Sequence, residues 1–108
     1  MSVSADLDRV ADFLDQHDWC QGSSAQDAYG QPIDALDEAA CRFCSYGAMW
    51  AVLRDAKAVD ACLAACEILV DVPTAFWNDH VCRDKAEAVA MLRKAALRKA
   101  AQTALGQI

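Results

Sequence analysis

The sequence predicts an all-α protein, a compact four-helix arrangement with a long ordered loop between the first two helices. Apolar residues recur at helical spacing in four segments, and no segment shows the apolar–polar alternation that is typical of a strand. Hydrophobic residues make up 56% of the 108 residues and aromatic residues only 7%. Much of the apolar content is alanine, whose small side chain lets helices pack closely. Because the chain has no linker, internal repeat or low-complexity tract, residues 1–108 are predicted to form a single helical domain.

The first helix is predicted from Ser4, an N-cap residue, to about His17. The apolar residues that recur at helical spacing, and should face the core, are Leu7, Val10, Ala11 and Leu14. Three aspartates fall on another side of this helix and form a predicted acidic surface: Asp8, Asp12 and Asp15.

The second helix is predicted to begin with Asp34 or Asp37 as its cap, after a segment rich in Gly, Ser, Gln and Asp. Its predicted buried stripe consists of Leu36, Ala40, Phe43, Cys44, Gly47, Ala48 and Ala51. A glycine inside a helix costs about 1 kcal/mol relative to alanine. We therefore expect Gly47 to allow the close approach of another backbone, such as that of the loop around Trp19.

The third and fourth predicted helices have clear stop and start signals. The third spans about residues 56–69 and ends at Val72-Pro73, because a residue that precedes proline disfavours the α conformation. A short segment with Phe76 and Trp77 follows, for which one helical turn is predicted. The last helix begins at Asp84, with a glutamate three residues later as in a capping box, and runs to about Leu105.

Two short polar-aromatic segments are the most informative feature of the chain: Trp19-Cys20-Gln21-Gly22 and Trp77-Asn78-Asp79-His80. Asn and Asp side chains commonly bond nearby backbone amides and stabilise turns. We favour this structural interpretation, in which Asp79 also accepts hydrogen bonds from amides of the first segment. The alternative is a small binding pocket, because concave sites with an aromatic wall and few polar groups bind ligands. Its predicted binding residues are Trp19, Gln21, Gly22, Trp77, Asn78 and Asp79.

These segments also carry a resemblance to a known family. The matching motifs, in order, are Trp19-x-Gln21-Gly22, Asp27-x-x-Gly30, Cys44-x-x-Gly47-Ala48, Trp77-Asn78-Asp79 and Ala86-Glu87-Ala88-Val89. From about residue 19 to residue 96 the chain resembles an uncharacterised family of small bacterial and phage proteins, a domain of unknown function. The resemblance implies a fold and a bacterial or phage host range, but no catalytic residue or cofactor.

Two chemical alternatives arise from the six cysteines. The first is a zinc site formed by four of them: Cys41, Cys44, Cys62 and Cys66. Zinc requires tetrahedral ligands, whereas these pairs are predicted in the middle of helices, where cysteine acts as a small apolar residue.

The second alternative is a cysteine hydrolase or transferase with Cys44 as nucleophile, His80 as base and Asp79 as the orienting carboxylate. Against it, Cys44 is predicted on a buried stripe, and we predict neither catalytic nor metal-binding residues.

Charge is distributed unevenly along the chain, whose net charge is −6. Residues 1–82 carry four basic and fourteen acidic side chains, and residues 83–108 carry six basic and two acidic ones. The acidic part argues against nucleic-acid binding, and no apolar run approaches the roughly 20 residues that span a bilayer. Without an export signal, a cytoplasmic location is predicted.

The sequence thus predicts a non-enzymatic protein-binding module without a cofactor. Its concrete form is a small acidic inhibitor from a phage or mobile element, which occupies a basic surface on a host or defence protein. The opposite charges of the two parts of the chain also allow a homodimer.

Overall fold

The computed structural model describes residues 2–106, and within them it contains five helices and a small four-stranded sheet. The helices are α1 (Val3–Asp15), α2 (Ser45–Leu53), α3 (Ala56–Val70), α4 (Thr74–His80) and α5 (Lys85–Gly106). The strands are β1 (Asp18–Trp19), β2 (Ala25–Gln26), β3 (Pro32–Ile33) and β4 (Arg42–Phe43). The predicted all-α, four-helix fold is therefore wrong, and the protein has an α/β fold.

Strands β1, β2 and β3 lie in the segment that was expected to be a loop, and β4 lies in the first part of the predicted second helix. Its strand order is β1-β4-β2-β3, with β1 and β4 parallel and the other neighbours antiparallel. Each strand has two residues, and two residues cannot display the alternation by which strands are found in a sequence. The hydrogen bonds between distant strands, rather than local preference, hold this sheet together.

The prediction was also wrong about the start of the second helix. Asp34 and Asp37 each accept a hydrogen bond from the amide two residues ahead, at 2.8 and 2.9 Å, so both hold turns. Helix α2 begins only at Ser45, and Cys44 is its N-cap, with the thiol sulfur accepting from the Gly47 amide at 3.3 Å. The predicted stripe before Cys44 belongs to the turns and to β4.

The other helix boundaries lie close to the prediction. The N-cap of α1 is Ser2 rather than Ser4, and its hydroxyl accepts from an amide three residues later at 3.0 Å. Helix α3 matches its predicted range, with an aspartate cap at residue 55. The short segment after Pro73 is α4, which has seven residues. At α5, Asp84 accepts from the Glu87 amide at 2.9 Å, as its predicted cap role requires.

Gly47 confirms the expected close approach of another backbone. A Cβ atom at this position would lie 1.8 Å from the carbonyl oxygen of Ser24, in the loop that follows the Trp19 segment. No side chain fits at that distance, so glycine lets α2 pack directly on the loop.

Helices α1 and α5 form the main packing interface, and the core lies between them and α2 and α3. The largest fully buried apolar side chains are Leu7, Leu14, Met49, Leu92, Val10 and Val59. Lys85, in the first turn of α5, donates to the carbonyl oxygens of Asp15 and His17, both at 3.1 Å, and so caps the end of α1. None of residues 97–106 at the end of α5 is buried. Among residues 2–106, no helix is long and apolar enough to cross a membrane.

Candidate functional site

The two polar-aromatic segments meet in the structure, where the loop after β1 lies against α4. The Trp19 indole N–H donates to the Asn78 Oδ1 atom at 2.9 Å, and the Gly22 amide donates to Asp79 Oδ1 at 3.0 Å. The Gln21 side-chain amide donates to the main-chain carbonyl oxygens of Asn78 and Cys82, both at 3.0 Å. We call this set of contacts the loop–α4 junction.

Asn78 is the centre of the junction and is fully buried. Besides Trp19, its Oδ1 atom accepts from the amide and the hydroxyl of Ser45, both at 3.1 Å, and so fixes the first residue of α2. Its Nδ2 atom donates to the Cys20 carbonyl oxygen at 3.1 Å and to Asp79 Oδ1 at 3.0 Å. One side chain therefore satisfies polar groups of the loop, of α2 and of α4.

Most of the predicted binding residues are thus engaged within the protein itself. The polar groups of Trp19, Gln21, Asn78 and Asp79 hold the loop to the scaffold, including the predicted bond from a loop amide to Asp79. A ligand would have to displace these bonds, at a cost for every buried group left without a partner. Trp77 is the exception, since its half-buried ring faces a groove on the other side of α4.

That groove lies where α3, α4 and α5 come together. It has a volume of about 430 Å³, and its lining consists of Leu69, Val70, Trp77, Glu87, Ala90, Met91 and Lys94. Five of these seven side chains are apolar, and the two charged ones are seven residues apart on α5. We call this surface the Trp77 groove.

A smaller cavity of about 290 Å³ lies beside the junction and brings Cys44 and Asp79 together. Burial raises the pKa of the Cys44 thiol, and the amides at the start of α2, from Gly47 first, offset this in part. His80, the predicted base, is exposed and packs its ring 4.7 Å from that of Phe76. A protonated thiol at neutral pH is a weak nucleophile, so the cavity lacks the activation that a cysteine hydrolase or transferase needs.

Cys62 and Cys66 behave as core residues. Burial raises the pKa of Cys62 to about 11 and that of Cys66 to about 12, and both side chains are fully buried in α3. Within residues 2–106, no group of three or more His, Cys, Asp or Glu side chains is placed to hold a metal ion. The four cysteines of the zinc alternative do not form such a group.

The predicted acidic surface on α1 is partly neutralised by α5. Arg93 forms an ion pair with Asp12 at 2.8 Å and lies 3.9 Å from Asp8. Asp15 is exposed. The basic residues of the last helix thus serve in part to hold α1.

Comparison with known proteins places the chain in a family. Residues 1–98 match the model of a family described as a family of unknown function, DUF6197. The chain belongs to this family. No curated protein and no solved structure matches the chain. The resemblance to an uncharacterised domain is confirmed, and the family match covers both the loop–α4 junction and the Trp77 groove.

Sequence reasoning missed the Trp77 groove. Trp77 was assigned to the polar segment. The sequence did contain one signal. Helix α3 ends in apolar residues at Val70, and a tryptophan in a polar segment follows closely, which together indicate an apolar surface that the fold does not fully cover.

Proposed function

We propose that this member of the DUF6197 family is a non-catalytic protein-binding module that holds an amphipathic helix of its partner in the Trp77 groove. The observation that carries the proposal is the apolar groove of about 430 Å³ beside a junction whose polar groups are already engaged. Apolar grooves between helices commonly receive the apolar face of a partner helix.

The dimensions of the groove fit a short helix. Its lining extends along α5 from Glu87 to Lys94, which corresponds to about 10 Å or two helical turns. Two turns of a partner helix offer about three or four apolar side chains on one face. Leu97, which is 73% exposed, follows Lys94 by three residues and extends the same side of α5.

The charges on the groove orient its occupant. Lys94 is exposed, whereas Glu87 already pairs with Arg83 at 3.1 Å. A partner helix with an acidic residue near Lys94 would therefore be preferred over one with a basic residue there, since like charges at an interface are costly.

The excess acidic charge favours a second candidate, an inhibitor from a phage or mobile element that covers a basic surface of a host or defence protein. Residues 1–82 carry a net charge of −10. Asp15 and the outer face of α1 would supply that surface, although Arg93 already engages Asp12. The two candidates differ in their response to salt, because ionic strength screens exposed charges but leaves apolar burial intact.

A displayed library of amphipathic helical peptides of about 16 residues tests the groove, since helical partners dock through i, i+3, i+4 and i+7 anchors. The selected peptides are then measured by fluorescence anisotropy against wild type, Ala90→Glu and Ala101→Glu. Ala90 lines the groove and Ala101 is an exposed residue of the same helix outside it, so the second variant is the matched control.

We expect Ala90→Glu to weaken binding at least about tenfold, or about 1.4 kcal/mol, and Ala101→Glu to leave it unchanged. Raising the salt concentration should change the affinity little. Peptides that bind both variants equally well would rule out the groove. Strong loss of binding in salt, together with sensitivity to Asp15→Asn, would favour the acidic surface instead.

A further inference from the structure

Cys20 and Cys44 lie at equivalent places on two paired strands. Cys20 directly follows β1 and Cys44 directly follows β4, and these strands are parallel, with Trp19 opposite Phe43. The Cys20 amide donates to the Phe43 carbonyl oxygen at 3.1 Å, so the pairing continues past the strand end. In a parallel pair the next two residues face each other and direct their side chains to the same side. The register therefore places the two cysteines opposite one another.

The electrostatics agree with this placement. Burial raises the pKa of Cys20 to about 11, and the neighbouring Cys44 thiol contributes to the same increase. Both side chains are nearly inaccessible, with 6% and 5% of their surface exposed. The Cys20 thiol donates only a long bond, 3.6 Å, to the Ser23 carbonyl oxygen, which it can give up at little cost.

Access to this pair is through the cavity beside the junction. Cys44 lines that cavity together with Gly22, Ser23 and Asp79, and its volume of about 290 Å³ admits a molecule as small as a hydroperoxide. Because Cys44 lines the cavity and Cys20 does not, Cys44 is the sulfur that an oxidant in the cavity meets first.

We propose that Cys20 and Cys44 form an oxidisable dithiol site that closes to a disulfide when a hydroperoxide enters the cavity. The Cys44 sulfur, having lost its proton, attacks one peroxide oxygen; the O–O bond breaks, and the leaving oxygen takes the proton. The resulting sulfenic acid is attacked by the Cys20 sulfur, so that an S–S bond forms, the S–O bond breaks and water leaves with the Cys20 proton. Overall, two thiols are oxidised by two electrons and one hydroperoxide is reduced to water and an alcohol, or to two waters.

The disulfide would join the loop after β1 to the N-cap of α2, next to Ser45, which Asn78 contacts. Because both thiols are protonated at neutral pH, the reaction is slow there and accelerates as pH rises. The site therefore responds to sustained oxidation rather than turning over peroxide as an enzyme. This inference does not depend on the function of the Trp77 groove.

The experiment treats the native full-length protein with millimolar hydrogen peroxide at pH 8.5 and maps disulfides by peptide mass spectrometry. Cys62 and Cys66 are the internal control, because they also influence one another but are fully buried in α3 and do not line the cavity. We expect a Cys20–Cys44 peptide pair and unmodified Cys62 and Cys66. Cys20→Ser should instead leave Cys44 as a sulfenic or sulfinic acid.

Two results would overturn the proposal. One is native protein in which Cys44 is oxidised but no link to Cys20 forms. The other is a Cys20–Cys44 link that appears only after the protein is unfolded in urea. Cys44→Ser preserves an N-cap residue for α2, and circular dichroism of both serine variants checks that they fold.

Discussion

Replacing Asn78 by alanine is the sharpest test of the loop–α4 junction. The substitution removes the acceptor of the Trp19 indole and of the Ser45 amide, and the donor to the Cys20 carbonyl oxygen. Ser45 is fully buried, so water does not reach its amide unless the cavity left by the side chain fills. The variant therefore leaves several polar groups without partners at once.

The expected cost follows from these groups. Each buried polar group left unsatisfied costs about 1–3 kcal/mol. Five groups lose a bond to Asn78, but Asp79 Oδ1 keeps its bond from the Gly22 amide, and the part-buried Trp19 indole regains a bond to water. The groups left without a partner are the amide and hydroxyl of Ser45 and the Cys20 carbonyl oxygen. We therefore expect Asn78→Ala to lower the free energy of unfolding by about 3–4 kcal/mol, a large part of the 5–15 kcal/mol that is typical of a domain.

Equilibrium unfolding in urea, followed by far-UV circular dichroism, measures this cost. With a slope of roughly 1–3 kcal/mol per molar urea, the midpoint should fall by about 1–4 M. Gln102→Ala, which removes an exposed side-chain amide from α5, is the control and should change stability by less than about 0.5 kcal/mol.

A double-mutant cycle with Trp19→Phe isolates the junction bond. In wild type, Trp19→Phe should lose the hydrogen bond, worth about 1 kcal/mol, together with some packing of the larger ring. In the Asn78→Ala background it should lose only the packing, because the indole donor is already without its partner, so the coupling energy should be about 1 kcal/mol. If Asn78→Ala costs less than 1 kcal/mol, or if the two substitutions are additive, the junction does not stabilise the fold as argued.

Two further predictions concern α2 and α3. Gly47→Ala should destabilise the protein by at least about 2 kcal/mol in thermal unfolding, although alanine favours helices, because its Cβ would collide with the Ser24 carbonyl. Gly106→Ala, with open space around it, is the control, and equal stability of both variants would refute the close packing. Burial raises the pKa of Cys66 from 9.0 to about 12, so the stability that its protonated thiol contributes is complete below pH 9 and is lost as pH rises towards 12. As the pH is raised from 8 to about 10.5, the urea concentration at the unfolding midpoint should decrease, and it should decrease less in Cys66→Ala. An equal decrease in both proteins would exclude ionisation of the Cys66 thiol as the cause.

The helices that carry explicit start and stop signals could be predicted from the sequence. Asp84 begins α5 and Pro73 follows the end of α3, and both signals act within one helical turn. Gly47 could also be interpreted locally, because a glycine in a helix interior has a cost that close packing offsets. In these cases the physical cause lies within a few residues of its effect.

The sheet and the start of α2 could not be predicted because their causes are distant in sequence. Residues 18–19 pair with residues 42–43, and neither dipeptide has a pattern of its own. Asp34 and Asp37 have the composition of helix caps, but their side chains bond amides two residues ahead and form turns. Whether such an aspartate caps a helix or holds a turn depends on the strands that pair around it.

The candidate site was predictable to a similar extent. The bond from the loop to Asp79 was expected, since both segments are polar and rich in turn formers. That Asn78 would serve Ser45 as well was not, because this bond joins a third element. The Trp77 groove has ordinary apolar lining residues, and a sequence does not reveal which apolar stripe the fold leaves uncovered.

The sequence distance across the junction has a consequence for the lifetime of the folded state. Its side-chain bonds join residues 57 to 61 positions apart, so most of the chain must be in place before they form. We expect these bonds to form after the folding transition state, so that their loss accelerates unfolding far more than it slows folding. Stopped-flow rates of Asn78→Ala should show this asymmetry. A substitution at Asn78 alone could therefore change the unfolding rate, and with it the lifetime of the folded state, with little effect on the folding rate.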